Sequence, residues 1–116
     1  MKQYFIIGIV LVISVLLYLF CKRILYKKKI EMYPSGEVHR IFYTRFNKKH
    51  GVENVFYKTG ELNKKKKWNK GLLQGKTITY FKNGEKYVIE KYEKGILVQC
   101  DIHDLDGNKI NKLFDR

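Results

Sequence analysis

The stretch "FKNGEKY", residues 81–87, has two close relatives in the same chain, "YPSGEVH" at residues 33–39 and "YKTGELN" at residues 57–63. The three stretches start 24 residues apart, and each has an aromatic residue first, Gly fourth and Glu fifth. Gly tolerates the positive φ that tight turns require, and Asn-Gly is a strong hairpin signal. The repetition therefore predicts a recurring turn between short strands.

Three units of 24 residues, 33–56, 57–80 and 81–104, extend outward from these turns, and a partial fourth unit begins at Asp104 with "DLDGNKI". Asn47 replaces the central Gly of the first unit, and Gln99 replaces the second Gly of the third, so we expect the outer units to be irregular. The turn and aromatic positions form the structural signature of the repeat: Tyr33, Gly36, Gly51, Tyr57, Gly60, Gly71, Gly75, Phe81, Gly84, Gly95 and Gly107.

The runs between the turns, such as "VHRIFYTRF" and "KYVIEKYE", are rich in β-branched and aromatic residues, which is typical of strands. A lone two-stranded hairpin is marginally stable in water, and stacking successive hairpins would bury a continuous apolar surface. The sequence therefore predicts an all-β domain over 33–116, built as an array of stacked antiparallel hairpins.

The N-terminal run "QYFIIGIVLVISVLLYLFC", residues 3–21, contains no charged residue. As a helix rising about 1.5 Å per residue it matches a hydrocarbon core about 30 Å thick, so we expect residues 1–21 to be a transmembrane anchor. The alternative is a secretory signal that is removed. The bulky end "YLFC" disfavours that alternative, because signal cleavage prefers small residues.

Charges flank this run unevenly. Lys2 precedes it, and five basic residues follow within a segment, 22–32, that we expect to be a basic linker: Lys22, Arg23, Lys27, Lys28 and Lys29. The positive-inside rule then places the C-terminal domain in the cytoplasm, with one pass through the cytoplasmic membrane.

The chain carries a formal net charge of +13, from 20 Lys and 4 Arg against 11 acidic residues. The absence of Ala and the single Pro are typical of A/T-rich coding, so part of this charge is compositional background. Phosphate readers favour the planar fork of Arg, so the excess of Lys argues against nucleic acid as a partner.

The densest basic run gives the candidate partner-binding residues: Lys64, Lys65, Lys66, Lys67 and Trp68. The functional interpretation is a cationic patch for anionic lipid or an acidic protein. The alternatives are lysines that protect a sheet edge from self-pairing and a Trp68 that packs between repeats.

Groups that could carry chemistry are scattered. His39, His50 and His103 occupy unrelated positions of the repeat, and Cys21 and Cys100 show no metal-ligand spacing. The acidic residues Asp101, Asp104 and Asp106 lack the bidentate Glu of a calcium loop, and a turn explains them better. We therefore expect no catalytic residue, no metal and no cofactor, and we predict that the chain is not an enzyme.

The segment "YKTGELNKKKKWNKGLLQGKTITYFKNGE", residues 57–85, resembles the MORN repeat, and in particular its bacterial variants. The resemblance covers about residues 33–110. It implies a binding protein, either the antitoxin or immunity protein of a toxin–antitoxin system with a toxin or effector as partner, or a membrane-associated scaffold. It implies no catalytic residues.

Overall fold

The computed structural model describes residues 1–110 and begins with one long helix. Helix α1 spans Lys2–Leu25 and ends where Tyr26 turns to extended backbone, with φ −98° and ψ 120°. Lys22 and Arg23 lie in its last turn, where cations stabilise the negative end of the helix dipole. Within the described residues this is the one helix long and apolar enough to cross a membrane, and none of its apolar window is buried by the rest of the chain.

The remainder is a nine-stranded sheet in which every strand pair is antiparallel. The strands are β1 (Tyr26–Met32), β2 (Val38–Arg45), β3 (Lys48–Lys49), β4 (Gly51–Phe56), β5 (Leu62–Asn69), β6 (Leu72–Leu73), β7 (Gly75–Tyr80), β8 (Lys86–Glu93) and β9 (Ile96–Ile102). Their spatial order is β1-β2-β4-β5-β7-β8-β9, with β3 beside β2 and β6 beside β5. An all-β fold preceded by one helix is thus confirmed for the described residues.

The three quoted stretches form the turns that join β1 to β2, β4 to β5 and β7 to β8. In each turn the Gly N–H donates to the carbonyl of the aromatic residue, for example Gly60 to Tyr57 at 2.9 Å and Gly84 to Phe81 at 3.0 Å. The aromatic hydroxyl also ties successive turns together, because Tyr33 donates to the Phe56 carbonyl and Tyr57 to the Tyr80 carbonyl, both at 2.7 Å.

A second set of turns joins each long strand to the strand that follows it. Two consecutive residues have positive φ in each turn: Phe46 and Asn47, Lys70 and Gly71, and Lys94 and Gly95. Paired positive φ values are typical of the two-residue hairpin turn whose twist matches that of the strands. Asn47 fills the first of these turns with φ 61°, which Asn tolerates better than most residues.

Residues 22–32 are not the linker that the sequence predicted. The helix continues to Leu25, and β1 pairs with β2 from Tyr26 to Met32. The stretch "YKKKIEM" has weak strand character, but pairing with β2 overrides that local preference. Its lysines suit an edge strand, since charged side chains oppose further pairing.

The core is thin. Among the described residues, the buried side chains are Val55, Thr44, Thr77 and Glu53, and the Glu53 side chain has no exposed surface. Because few apolar side chains are removed from water, we expect hydrogen bonding between strands to contribute much of the stability of this domain. The last residues of the predicted domain, 111–116, lie outside the described part of the chain.

Candidate functional site

Strand alternation gives the sheet two chemically different faces. Directly paired residues share a face, and successive residues of a strand point to opposite faces. One row crosses all seven principal strands on one face: Ile30, Ile41, Asn54, Lys65, Ile78, Ile89 and Asp101. We call this face the basic face, since it also carries exposed lysines two residues along from members of the row: Lys28, Lys67, Lys76 and Lys91.

The opposite face, which we call the paired face, is built around Glu53. Its carboxylate accepts hydrogen bonds from Lys49 Nζ at 2.9 Å and from Trp68 Nε1 at 2.8 Å. Arg40 Nη1 lies 3.5 Å from the same carboxylate, and Arg40 Nε lies 2.9 Å from Glu31. Arg40 and Lys49 are therefore paired with carboxylates, whereas Lys64 and Lys66 on the same face take part in no ion pair within residues 1–110.

Burial and charge act against each other on Glu53. Desolvation alone would raise the pKa of its carboxyl, but the hydrogen bond and charge of Lys49, the indole of Trp68 and the charge of Lys66 together hold that pKa below its usual value. Desolvation lowers the pKa of Lys66, which is directly opposite Glu53 in the ladder, and the Glu53 charge counters part of that effect. Glu53 is therefore ionised at neutral pH and balances the cations around it.

A second polar pair lies further along the paired face. Tyr92 donates to Glu90 at 2.6 Å, and this hydrogen bond, with burial, raises the pKa of Tyr92 to about 12. Burial also raises the pKa of the Cys100 thiol, so this thiol is protonated at neutral pH and is a poor nucleophile.

The run Lys64–Lys67 does not form a single patch. Lys64 and Lys66 are half-buried on the paired face, whereas Lys65 and Lys67 are exposed on the basic face. A lysine run on a strand is divided this way because the side-chain period is two. Nor is the run at a sheet edge, since β5 pairs with β4 on one side and with β7 on the other.

Trp68 lies on the paired face and packs between strands. Its indole donates to Glu53 on β4, and Lys49 Nζ lies 4.9 Å from the centre of the ring. This position agrees with the packing alternative and removes Trp68 from the exposed basic face.

The lysines of the basic face have no carboxylate partner among residues 1–110. The ion pairs within that part of the chain involve Arg40, Lys49 and Lys109, and none of them includes Lys28, Lys65, Lys67, Lys76 or Lys91. Lys76 and Lys91 are directly opposite each other in the ladder. The basic face thus carries five exposed positive charges beside a row of isoleucines.

The histidines and the C-terminal aspartates take part in local packing and turns. His39 stacks on Tyr33 with ring centres 4.3 Å apart, and Asp104 accepts hydrogen bonds from the N–H groups of Asp106 and Asn108. Within the described residues, no group of three or more His, Cys, Asp or Glu side chains could hold a metal ion.

Sequence reasoning missed Glu53 and the partition of lysines between two faces. The alternation in "GVENVF" was the available signal. Glu53 and Val55 are two residues apart and so point to the same face, which is buried, whereas Val52 points to the other face and is exposed. Lys67 and Lys91 occupy the same position of successive 24-residue units, so the same face is expected for both. Neither pattern identifies the face without the register of the neighbouring strands.

Comparisons with protein-family models, with curated proteins and with solved structures gave no match.

Proposed function

We propose that this chain is a membrane-anchored, non-enzymatic binding protein that holds an acidic protein partner on the basic face. The observation that carries the proposal is the set of five exposed lysines that share one face and make no ion pair within residues 1–110. An acidic surface would supply the missing counter-charges and would be drawn to this face by long-range attraction.

The isoleucine row favours a protein over a purely ionic ligand. Ile41, Ile78 and Ile89 are half-buried on the bare sheet, and Ile30 is 51% exposed. Lysine stems can lie along such a strip while their ammonium groups face outward. The combination of an apolar centre and a charged surround is typical of protein interfaces.

The family resemblance narrows the kind of partner. The turn hydrogen bonds of Gly36, Gly60 and Gly84 recur at 24-residue spacing, which supports a repeat array of the MORN type. By that resemblance the chain is the antitoxin or immunity protein of a bacterial toxin–antitoxin system, and its partner is a toxin or effector. We further propose that residues 3–21 span the cytoplasmic membrane and that the sheet lies on the cytoplasmic side, where the basic residues after α1 would face.

The test measures binding of the full-length chain, in detergent, to purified proteins encoded by the neighbouring genes. A variant with Lys65, Lys67, Lys76 and Lys91 changed to Gln should bind an acidic neighbour at least about tenfold more weakly, because exposed charge pairs across an interface are lost. A matched control changes four other exposed lysines to Gln: Lys58, Lys82, Lys86 and Lys94. Equal losses in both variants would mean that net charge alone governs binding and would refute the proposed face.

A second candidate is a scaffold whose basic face rests on anionic lipid. It is favoured by the direct continuation of α1 into β1, which holds the sheet near the end of the helix. Amine-reactive labelling in nanodiscs separates the two functions. Protection of the five lysines by phosphatidylglycerol, with no protein partner present, would support the scaffold, whereas labelling as strong as in phosphatidylcholine would support the protein-binding function.

A further inference from the structure

A cavity of about 280 Å³ lies at the tip of the hairpin formed by β2 and β3, and we call it the tip pocket. Its lining residues are Arg45, Phe46, Lys48, His50 and Lys70. Four of these five side chains are basic, and none of the four takes part in an ion pair within residues 1–110. The volume is far above the roughly 30 Å³ that one water molecule occupies in the liquid.

Hydrogen bonds from the backbone of the Lys70–Gly71 turn hold the pocket walls together. The Gly71 N–H donates to the Lys49 carbonyl at 2.8 Å, and the Lys70 N–H donates to His50 Nδ1 at 3.2 Å. These bonds place the Lys70 turn against the β3 strand. The basic groups are therefore brought together by the fold itself.

Much of the hydrogen-bonding capacity of Arg45 is unused by the described chain. Its Nη1 makes one long contact, 3.4 Å from the Tyr26 hydroxyl, and its buried Nε has no acceptor among residues 1–110. A guanidinium carries five N–H donors in a planar fork that suits an oxyanion. An anion in the pocket would satisfy donors of this guanidinium that residues 1–110 leave open.

The next hairpin has the same architecture, with neutral residues at three of the four basic positions and Lys94 at the position of Lys70. Lys94 N–H donates to Gln74 Oε1 at 2.8 Å, and Gly95 N–H donates to the Leu73 carbonyl at 2.9 Å. Asn69, Leu72 and Gln74 stand where the first hairpin has Arg45, Lys48 and His50. The contact between the turns therefore forms with neutral residues at these three positions, so the contact itself does not require Arg45, Lys48 or His50.

The tip pocket also lies beside the end of α1. Tyr26, the first residue after the helix, is opposite Arg45 in the ladder, and its ring centre lies 5.8 Å from that of His50. If α1 spans a membrane, this end of the helix is at the level of the lipid head groups.

We propose that the tip pocket binds a phosphate group. A phosphate offers several oxygens and up to two negative charges, which suits four converging basic side chains better than a single carboxylate does. The phosphate can belong to an anionic lipid head group or to a small soluble phosphate ester. The pocket shares no lining residue with the five lysines of the basic face, so the inference does not rest on the proposed partner protein.

The key variant replaces the pocket with the residues of the next hairpin: Arg45→Asn, Lys48→Leu and His50→Gln. Because these residues already support the same turn contact one hairpin along, the variant should fold, and thermal unfolding checks that it does. The double variant Lys48→Gln and Lys70→Gln changes two exposed side chains and gives a second, milder test. The charge-matched control is Lys86→Gln with Lys94→Gln, which removes two exposed charges outside both the pocket and the basic face.

Two arms distinguish the sources of phosphate, both with the full chain in phosphatidylcholine nanodiscs. In the first, glycerol 3-phosphate is titrated while amide chemical shifts of residues 45–50 and 70 are followed. In the second, phosphatidic acid is included and its retention on the chain is counted by native mass spectrometry. We expect saturable binding in at least one arm and about a tenfold or greater loss in the pocket variants, with the control unchanged.

Binding in the second arm alone assigns the site to a lipid head group, and binding in the first alone assigns it to a soluble phosphate ester. The proposal is overturned if neither probe binds saturably. It is equally overturned if the control loses as much affinity as the pocket variants, because the interaction would then follow net charge.

Discussion

At the scale of single residues, Glu53 organises the paired face. It is the one fully buried large side chain among the described residues, and it accepts hydrogen bonds from Lys49 and Trp68. Its ion pairs offset the charges of Lys49 and Arg40 on that face. One buried carboxylate thus contributes to the stability of the sheet and balances part of the positive charge on this face.

Replacing Glu53 by Gln should destabilise the domain. The substitution leaves Lys49 and Arg40 without their shared counter-charge in a part-buried site, and breaking such a pair costs about 3 kcal/mol. Chemical denaturation measures the difference. Glu85→Gln, an exposed carboxylate, is the control and should change the unfolding free energy by less than about 0.5 kcal/mol.

The wild type and Glu53→Gln also test how the free energy of unfolding depends on pH. Since the pKa of Glu53 is lower in the folded chain, its contribution is complete above the ordinary Glu pKa of about 4.3 and is lost as the pH falls through the lower folded value. Glu37 and Glu61 also have lowered pKa values, from hydrogen bonds donated by Ser35 and Thr59, so the wild-type curve includes them. Acidification should therefore reduce the difference in unfolding free energy between wild type and Glu53→Gln. A difference that stays constant with pH would contradict an ionised Glu53.

A substitution at Gly84 measures the free-energy cost of a positive φ separately from any steric clash. It has φ +91°, and a Cβ at this position would meet no atom within 4 Å. Gly84→Val should therefore cost about 1 to 2 kcal/mol from the positive φ alone, without a steric clash. Lys86→Val, two residues later in a strand, should be nearly neutral, and equal melting temperatures for the two variants would show that φ is not limiting.

At the scale of elements, one glycine decides whether a strand is broken. Gly51 and Gly75 have positive φ and separate β3 from β4 and β6 from β7. Gln99 stands at the equivalent position of the next unit, and β9 runs unbroken from Ile96 to Ile102. Before the break, β3 and β6 pair with β2 and β5, whereas the unbroken β9 pairs along its length with β8.

Strand β1 should be detectable by hydrogen exchange in the full-length protein. In an antiparallel edge strand, alternate N–H groups point toward the neighbouring strand and the others face solvent. We expect slow exchange at alternate residues from Tyr26 to Met32. Uniformly fast exchange across this segment would contradict strand β1 and support the unpaired linker that the sequence predicted.

At the scale of the whole molecule, the helix and the sheet meet without an intervening loop. Tyr26 both ends α1 and begins β1, and it contacts Arg45 and His50. A spanning helix would therefore hold the tip pocket near the membrane surface. The 24 residues of α1 rise about 36 Å at about 1.5 Å each, which exceeds a hydrocarbon core of about 30 Å.

The anchor predicts that the full-length protein remains in the membrane fraction after carbonate extraction, because the apolar helix has no protein surface to cover it. A variant with Leu11→Arg and Val12→Arg should shift to the soluble fraction, since charges at the centre of a span are costly. Lys86→Gln with Lys94→Gln is a control in the sheet domain and should leave fractionation unchanged. A soluble wild-type chain beginning after Cys21 would instead identify a removed signal.

The sequence by itself determined the helix and the turns. The uncharged run specified the helix, and glycines at fixed spacing specified the turns, because both signals arise from local chemistry that neighbours do not alter. It also indicated the β-rich character of the residues between the turns. It did not reveal β1, since a lysine-rich stretch becomes a strand only when another strand is available to pair with it.

Only the tertiary structure decided which side chains share a face. Lys64 to Lys67 are adjacent in the chain, but the strand alternation places two on each side of the sheet, and ladder register then joins Lys65 to Ile78 and Lys66 to Glu53. The tip pocket likewise joins Arg45 to Lys70 across two turns. Charge neutralisation and site formation depend on distances between segments, and no local pattern of residues contains those distances.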